Sequence, residues 1–100
     1  MRRVMVRYRV KPEQVARNEE LVRAVYAELH ERTPDGIRYA TFKLEDGATF
    51  VHIAQVDSEH NPLGDLQAFK AFLEGIAKRC IDAPVTHELD EIGSFGVFTP

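Results

Sequence analysis

The side chains of this sequence best suited to acid–base chemistry are a histidine and a tyrosine in neighbouring apolar segments. His52 stands between Val51 and Ile53, and Tyr39 lies in the segment before it. A partly buried imidazole beside a tyrosine could accept a proton from an acidic phenol or quinol while the tyrosine orients the substrate. His52 and Tyr39 are therefore the predicted catalytic residues. The alternative is a histidine hydrogen-bonded in the core or at a dimer interface.

A second group of residues is predicted to bind a small aromatic substrate: Tyr8, His87, Phe69 and Phe72. Tyr8 could hydrogen-bond a substrate oxygen, although strand tyrosines more often pack and send the hydroxyl to a protein partner. His87 is expected to point inward, where a structural role is equally open. Phe69 and Phe72 belong to an apolar helical stripe that could line the same pocket.

The motifs of several common enzyme classes are missing. The sequence has no G-x-S-x-G, no phosphate-binding glycine loop and no histidine pair at metal-ligand spacing. A single cysteine, Cys80, excludes an internal disulfide and a cysteine-based zinc site. The net charge of −3 and the lack of a long apolar run argue against nucleic-acid and membrane partners. We therefore expect a cytoplasmic protein without a bound metal.

The elements that position these residues follow the order strand, helix, strand, strand, helix, strand. Alternation marks the strands, and apolar residues at helical spacing mark the helices. The expected bounds are 3–10, 12–31, 37–44, 48–56, 66–80 and 85–92. The Asp82-Ala83-Pro84 segment is expected to end the second helix. Gly93-Ser94 could form a bulge before an apolar tail of Phe95, Val97 and Phe98.

Asp46-Gly47 predicts a hairpin between the two middle strands, because a tight primed turn needs positive φ. The predicted register pairs Phe42 with Val51 and Thr41 with His52. One face of this hairpin is drier and is predicted to pack against the helices: Ala40, Phe42, Leu44, Val51 and Ile53. The face with Tyr39, Phe50 and His52 is then expected to be left open, together with Met5.

This order predicts an α+β, ferredoxin-like β-α-β-β-α-β fold, an antiparallel sheet with two helices on one face, in a single domain over residues 1–100. The first and last strands would be antiparallel neighbours. Three arginines would then face two acidic residues across these strands: Arg3, Arg7 and Arg9 against Glu88 and Asp90. A second copy of the chain, packed sheet to sheet, would cover the open face.

The chain resembles the antibiotic-biosynthesis-monooxygenase family of dimeric α/β-barrel proteins. The resemblance extends over nearly the whole chain and lies in these segments: Val4–Val10, Gly36–Phe42 with Asp46-Gly47, Phe50–Ala54, Asn61–Leu63, Phe69–Phe72 and Gly93-Ser94. It implies a homodimer whose sheets form a shared barrel, with a pocket between sheet and helices in each protomer. It also implies oxygenation of quinols or phenols without metal, flavin or another cofactor.

Haem degradation, an activity of some relatives, is not expected here. Those relatives pair an asparagine, a tryptophan and a histidine, whereas this sequence has no Trp. Its asparagines, Asn18 and Asn61, do not lie on the first strand.

The leading functional hypothesis is a small cofactor-independent monooxygenase of a phenol or quinol. A non-catalytic dimeric protein that binds a ligand or acts in a stress response is the alternative, and an isomerase or decarboxylase of the same superfamily is a third hypothesis. An enzyme should have a pocket reached by His52 or His87 and by a tyrosine. If structural partners occupy both ring nitrogens of His52, a base that contacts the substrate is excluded.

Overall fold

The computed structural model describes residues 1–97, which form a four-stranded antiparallel sheet in the order β2-β3-β1-β4. The strands are β1 Arg2–Val10, β2 Ile37–Lys43, β3 Thr49–Val56 and β4 Cys80–Glu88. The helices are α1 Val15–Arg32, α2 Gln67–Leu73 and the single turn α3 Ile76–Arg79, with 3-10 turns at Pro12–Gln14 and Pro62–Asp65. This strand order confirms the predicted α+β, ferredoxin-like fold. Among residues 1–97, no helix is both long and apolar enough to cross a membrane.

The hairpin between β2 and β3 has the predicted register, with Phe42 opposite Val51 and Thr41 opposite His52. Its loop is longer than the two residues expected. The Asp46 carboxylate accepts hydrogen bonds from the backbone N–H groups of Ala48 and Thr49, at 2.9 and 2.8 Å. This local competition for backbone donors ends the strands before the tip. Gly47, at φ +76°, provides the positive φ that the turn requires.

The helices cover the sheet face opposite to the one predicted. Tyr8 and Phe50 are each 2 % exposed and His52 is 5 % exposed, whereas Phe42 is 54 % exposed. The pairing of β1 with β3 explains the difference. Tyr8 lies opposite Phe50, so the apolar row of β1 shares a face with His52 and the arginine row of β1 shares the other face. Burying the arginines under the helices would be costly, and this decides which face is covered.

The region after the second crossover also differs from the prediction. Gly75, at φ +76°, separates α2 from α3, so the expected single helix is in two pieces. β4 begins at Cys80 and includes Pro84. Proline is tolerated there because β4 is an edge strand with one unpaired side. The strand ends at Glu88, so the expected bulge at Gly93-Ser94 is wrong, and Phe98 lies outside the described residues.

β1 and β4 are antiparallel neighbours, as predicted, but the charges pair differently. Glu88 contacts Arg2 at 2.9 Å, and Glu91 lies 3.5 Å from Arg3. The regular register places Val85 opposite Arg7, and irregular pairing on both sides of Arg9 places Asp82 opposite Arg9. The expected alignment of the arginine row with Glu88 and Asp90 is therefore wrong.

Candidate active site

His52 lies in a buried polar network between the sheet and the helices. The Tyr8 hydroxyl is 2.7 Å from His52 Nε2. On the other side of the ring, the hydroxyls of Tyr39 and Thr41 are 2.6 and 2.9 Å from Nδ1. The strands produce this arrangement, because Thr41 lies directly opposite His52 and Tyr8 and Tyr39 lie diagonally from it. Both ring nitrogens are therefore hydrogen-bonded within the protein, and a substrate cannot contact either without displacing a partner.

Burial sets the protonation states of this network. It lowers the pKa of His52 to about 4, so the imidazole is neutral at neutral pH. It raises the pKa of Tyr26 to about 12 and raises the pKa values of Tyr8 and Tyr39 well above the usual range for tyrosine. The tyrosine hydroxyls are therefore all protonated at neutral pH, and each has one proton to donate.

One end of the network is a buried arginine that the sequence reading missed. Arg79 is 6 % exposed, and its Nε donates to Asn18 Oδ1 at 3.1 Å. Its other nitrogens donate to the carbonyls of Phe72 and Glu74, at 2.6 and 3.0 Å. Asn18 Nδ2 in turn donates to the Tyr8 hydroxyl at 2.9 Å. The fully buried Asn18 thus joins Arg79 to the His52 ring through Tyr8.

Asn18 left a clearer signal in the sequence than Arg79 did. Asn18 lies three residues after Val15 and three before Leu21, so a polar residue occupies the apolar stripe of α1. Such a residue needs a buried partner. Arg79 also falls at helical spacing, three residues after Ile76 and seven after Phe72, but arginine is mostly a surface residue, so this spacing alone did not indicate burial.

The other end of the network reaches the surface at a groove between α1 and the strands β2 and β3. Tyr26 and Thr41 lie in this groove, with their hydroxyls 2.7 Å apart. The groove has a volume of about 320 Å³ and is lined by Glu19, Val22, Arg23, Tyr26, Thr41, Lys43 and Phe50. Its floor is apolar and aromatic, while Glu19 at the rim is hydrogen-bonded to both Lys43 and Arg23. The groove can hold one small aromatic ring with a polar group against Thr41 and Tyr26.

The other predicted binding residues fall into two groups. Phe72 is buried with its ring centroid 5.4 Å from that of His52, and Phe69 packs half-buried beside Phe72. His87 is exposed, and its pairing with Met5 places it on the sheet face away from the helices, so the expected inward position is wrong. His87 and Tyr8 both border a separate cleft of about 300 Å³. The structure therefore brings Tyr8, Tyr39 and Phe72 to His52 and leaves His87 apart.

No protein-family model matches the chain, and no curated protein matches it in sequence. Solved structures match it in fold. An antibiotic biosynthesis monooxygenase is 17 % identical, with a TM-score of 0.71 over 93 % of this chain and 100 % of the other. A protein from Pseudomonas aeruginosa is also 17 % identical, with a TM-score of 0.73 over 92 % of this chain and 94 % of the other.

A protein of unknown function from Nitrosomonas europaea is 15 % identical, with a TM-score of 0.72 over 94 % of this chain and 91 % of the other. At these identities the similarity is one of fold, and the chain has the antibiotic-biosynthesis-monooxygenase fold that the sequence resemblance implied. Because a fold carries many functions, activity has to be argued from the site.

Proposed function

We propose that this protein is a small cofactor-independent monooxygenase that binds a phenol or quinol in the groove beside Tyr26 and Thr41. The observation that carries the proposal is the continuous line of hydrogen bonds from this groove to His52 and on to Arg79. Buried polar groups of this number would cost stability in a purely structural core, where apolar side chains would pack as well.

In this proposal the predicted residues keep a role in the site but do not contact the substrate as first expected. Thr41 and Tyr26 contact the substrate oxygen, because they line the groove. His52 and Tyr39 act one hydrogen bond behind them and set the hydrogen bonding of those hydroxyls. His52 is thus a positioning residue, and the base that would touch the substrate directly is replaced by a hydrogen-bonded relay.

The chemistry needs only an electron-rich substrate and O2. One phenol and one O2 give a quinone and one water, so the substrate supplies all four electrons. A phenolate is more easily oxidised than the phenol, because its negative charge raises the electron density of the ring. The protein then has to bind the ring, stabilise the oxygen anion and keep the reacting carbon accessible to O2.

The second candidate is a non-catalytic module that binds a small aromatic ligand. Both nitrogens of His52 already have partners, and an imidazole that is fully hydrogen-bonded needs no reaction to explain it. The same groove would serve as the binding site in this case. Turnover, rather than binding, separates the two candidates.

We also propose that the protein is a homodimer formed through the sheet face that the helices leave open. This face carries apolar residues with large exposed areas, Phe42 at 54 % and Val85 at 52 %. Met5, Val51 and Ile53 lie on the same face, and Arg7 lies between Val51 and Val85. Large exposed apolar side chains gathered on one sheet face are typical of a protein interface.

Oxygen consumption with a panel of small phenols and quinols tests the enzymatic proposal. We expect O2 uptake that matches quinone formation one to one. Thr41→Val should lower the rate by about tenfold or more, because a lost transition-state hydrogen bond costs about 1.4 kcal/mol or more. Thr86→Val makes the same substitution on the exposed strand β4 and should leave the rate unchanged.

The two candidates give opposite results in this experiment. Saturable binding in the groove with no O2 uptake for any phenol would establish the non-catalytic module. Equal rates for wild type and a folded His52→Gln variant would remove His52 from the mechanism.

A further inference from the structure

We infer that Arg79, acting through Asn18 and Tyr8, holds the proton of His52 on Nδ1. In consequence the groove prefers a ligand oxygen that accepts hydrogen bonds, and so binds a phenolate more tightly than a phenol. The first half concerns the fold alone. The second half rests on the proposed function, because it takes the groove as the ligand site.

The direction of the network is set at its buried end. An arginine side chain can only donate hydrogen bonds, so Asn18 must present its carbonyl oxygen to Arg79 Nε. The Asn18 amide nitrogen therefore points to Tyr8 and donates to its oxygen. Tyr8 then has its own proton left to donate, and His52 Nε2 at 2.7 Å is the acceptor that the described residues place within reach.

The direction at Tyr8 decides the tautomer of His52. If Nε2 accepts the Tyr8 proton, a neutral imidazole carries its own proton on Nδ1. The opposite tautomer would place two donors, Asn18 and His52, on the Tyr8 oxygen. It would also leave the Tyr8 proton without an acceptor among residues 1–97, inside a buried site.

The tautomer in turn decides what the groove offers a ligand. His52 Nδ1–H donates to the oxygens of Tyr39 and Thr41, so neither hydroxyl gives its proton to the ring. Tyr26 and Thr41, the two hydroxyl groups of the network that line the groove, hold two protons and share one hydrogen bond with each other. At least one O–H therefore remains to donate to a ligand.

The charges at the rim favour the same ligand. Lys43 and Arg23 lie on either side of Glu19, which leaves one positive charge in excess at the groove. An aromatic oxygen anion would receive a hydrogen bond from the network and be attracted by the rim. His52 is then a donor that helps hold the phenolate, and the proton of the phenol leaves to solvent through the open groove.

Long-range ¹H–¹⁵N correlation spectra of protein labelled with ¹⁵N-histidine read the tautomer directly. We expect wild-type His52 to show a protonated Nδ1 and an unprotonated Nε2, with its signals assigned by their loss in His52→Gln. A protonated Nε2 in the wild type would overturn the inference, and this measurement needs no destabilised variant for its outcome.

Asn18→Asp provides the test of cause. A carboxylate can only accept hydrogen bonds, so it would accept from both Arg79 and Tyr8 and reverse the direction of the chain. We expect the His52 proton to move to Nε2 in this variant. Asn61→Asp is the matched control, because Asn61 caps the backbone N–H of Leu63 in a surface turn and an aspartate can do the same. An unchanged tautomer in folded Asn18→Asp would show that Asn18 does not set the direction.

Binding of para-nitrophenol, whose phenolate is yellow, tests the ligand preference. We expect wild type to bind the phenolate at least about tenfold tighter than the phenol, since hydrogen bonds to charged groups exceed neutral ones by that margin. This preference should persist in Lys43→Met, although reduced, and should fall most in Asn18→Asp. Equal binding of the two forms by wild type would overturn the preference.

The two halves fail separately in these experiments. If nitrophenol does not bind at all, the ligand site and the proposed function fail, while the tautomer result stands. If nitrophenol binds but none of the electron-rich phenols and quinols of the panel is oxidised, the preference is tested and only the oxygenase activity fails.

Discussion

Both faces of the sheet combine apolar and polar side chains, but only the covered face has its polar groups joined in a buried network. The face under the helices carries the polar groups of Tyr8, His52 and Tyr39, and the open face carries Phe42 and Val85 among its exposed residues. The helices cover the face that lacks the arginine row of β1, although that face holds these polar groups. The covered face suits burial because its polar atoms satisfy one another, while the open face combines exposed apolar side chains with the exposed Arg7 and Arg9.

Mutations on the two faces should also affect different equilibria, folding for the covered face and association for the open face. Removing one member of the covered network leaves the others unsatisfied in a buried site, so its effects should be large and coupled. Removing an apolar side chain such as Phe42 from the open face leaves no hydrogen-bonding group unsatisfied within the protomer. Its effect should appear in association instead of folding.

Arg79→Met should have the largest effect on folding. It removes three hydrogen bonds and leaves Asn18 Oδ1 and two backbone carbonyls without a donor. We expect the free energy of unfolding to fall by about 3–5 kcal/mol, measured by urea denaturation. Lys78→Met, one residue earlier and exposed, is the control and should change it little. A loss no greater than that of the control would mean that the network does not stabilise the fold.

Acidification should weaken the protein through His52. The pKa of the buried imidazole is about 4, against 6.5 for a free histidine, so below pH 6.5 the unfolded chain takes up a proton that the folded chain does not. The stability that is fully present above pH 6.5 should fall by about 3 kcal/mol as the pH drops to 4.

The side chains around His52 allow the loss of stability at low pH to be assigned to His52 itself. Tyr8, Tyr39 and Phe72 face the ring, and Arg79 is connected through Asn18, and none of these side chains titrates between pH 4 and 6.5. The fall in unfolding free energy between pH 6.5 and 4 should therefore be absent in His52→Gln and present in His60→Gln, whose histidine is exposed. Denaturation curves at several pH values measure it. If both variants retain it, another group is responsible.

Tyr8→Phe should have an intermediate effect. It leaves Asn18 Nδ2 and His52 Nε2 without their shared partner, and we expect a loss of about 1–3 kcal/mol of unfolding free energy. Tyr39→Phe should cost less, because Thr41 still lies within hydrogen-bond distance of His52 Nδ1. Chemical denaturation of both variants makes the comparison, and a larger loss for Tyr39→Phe would show that Thr41 does not replace the lost partner of His52 Nδ1.

Phe42→Glu should have the smallest effect on folding of the protomer, within about 0.5 kcal/mol, because its side chain is on the surface. Sedimentation equilibrium should instead show a dimer for wild type and a monomer for this variant. Leu73→Glu places the same charge at an exposed apolar residue of α2 and should remain dimeric. A wild-type monomer, or a dimeric Phe42→Glu protein, would contradict the sheet-face dimer.

Local signals in the sequence were sufficient for the strand order and the hairpin register. The Asp46-Gly47 turn sets the pairing of Thr41 with His52 from residues close in sequence. The choice of face needed the pairing of β1 with β3, where Tyr8 meets Phe50, and the composition of the hairpin alone suggested the opposite face.

The remaining errors have the same origin in distant contacts. Asn18 and Arg79 meet across the fold, so neither could be assigned a partner from its surroundings in the sequence. Pro84 was interpreted as a break because its place on an edge strand is decided by the other strands of the sheet. His52 and Tyr39 could be selected as a pair, but their lack of direct access to a substrate depends on Tyr8 and Thr41, which only the packed structure places around the ring.

The tyrosines also make the site spectroscopically visible. The chain has three tyrosines, Tyr8, Tyr26 and Tyr39, and no tryptophan. All three have their hydroxyls in the same network. Near-ultraviolet absorbance and intrinsic fluorescence should therefore be dominated by this one place, so ligand entry, loss of a hydrogen bond or proton movement can be followed in the unlabelled protein.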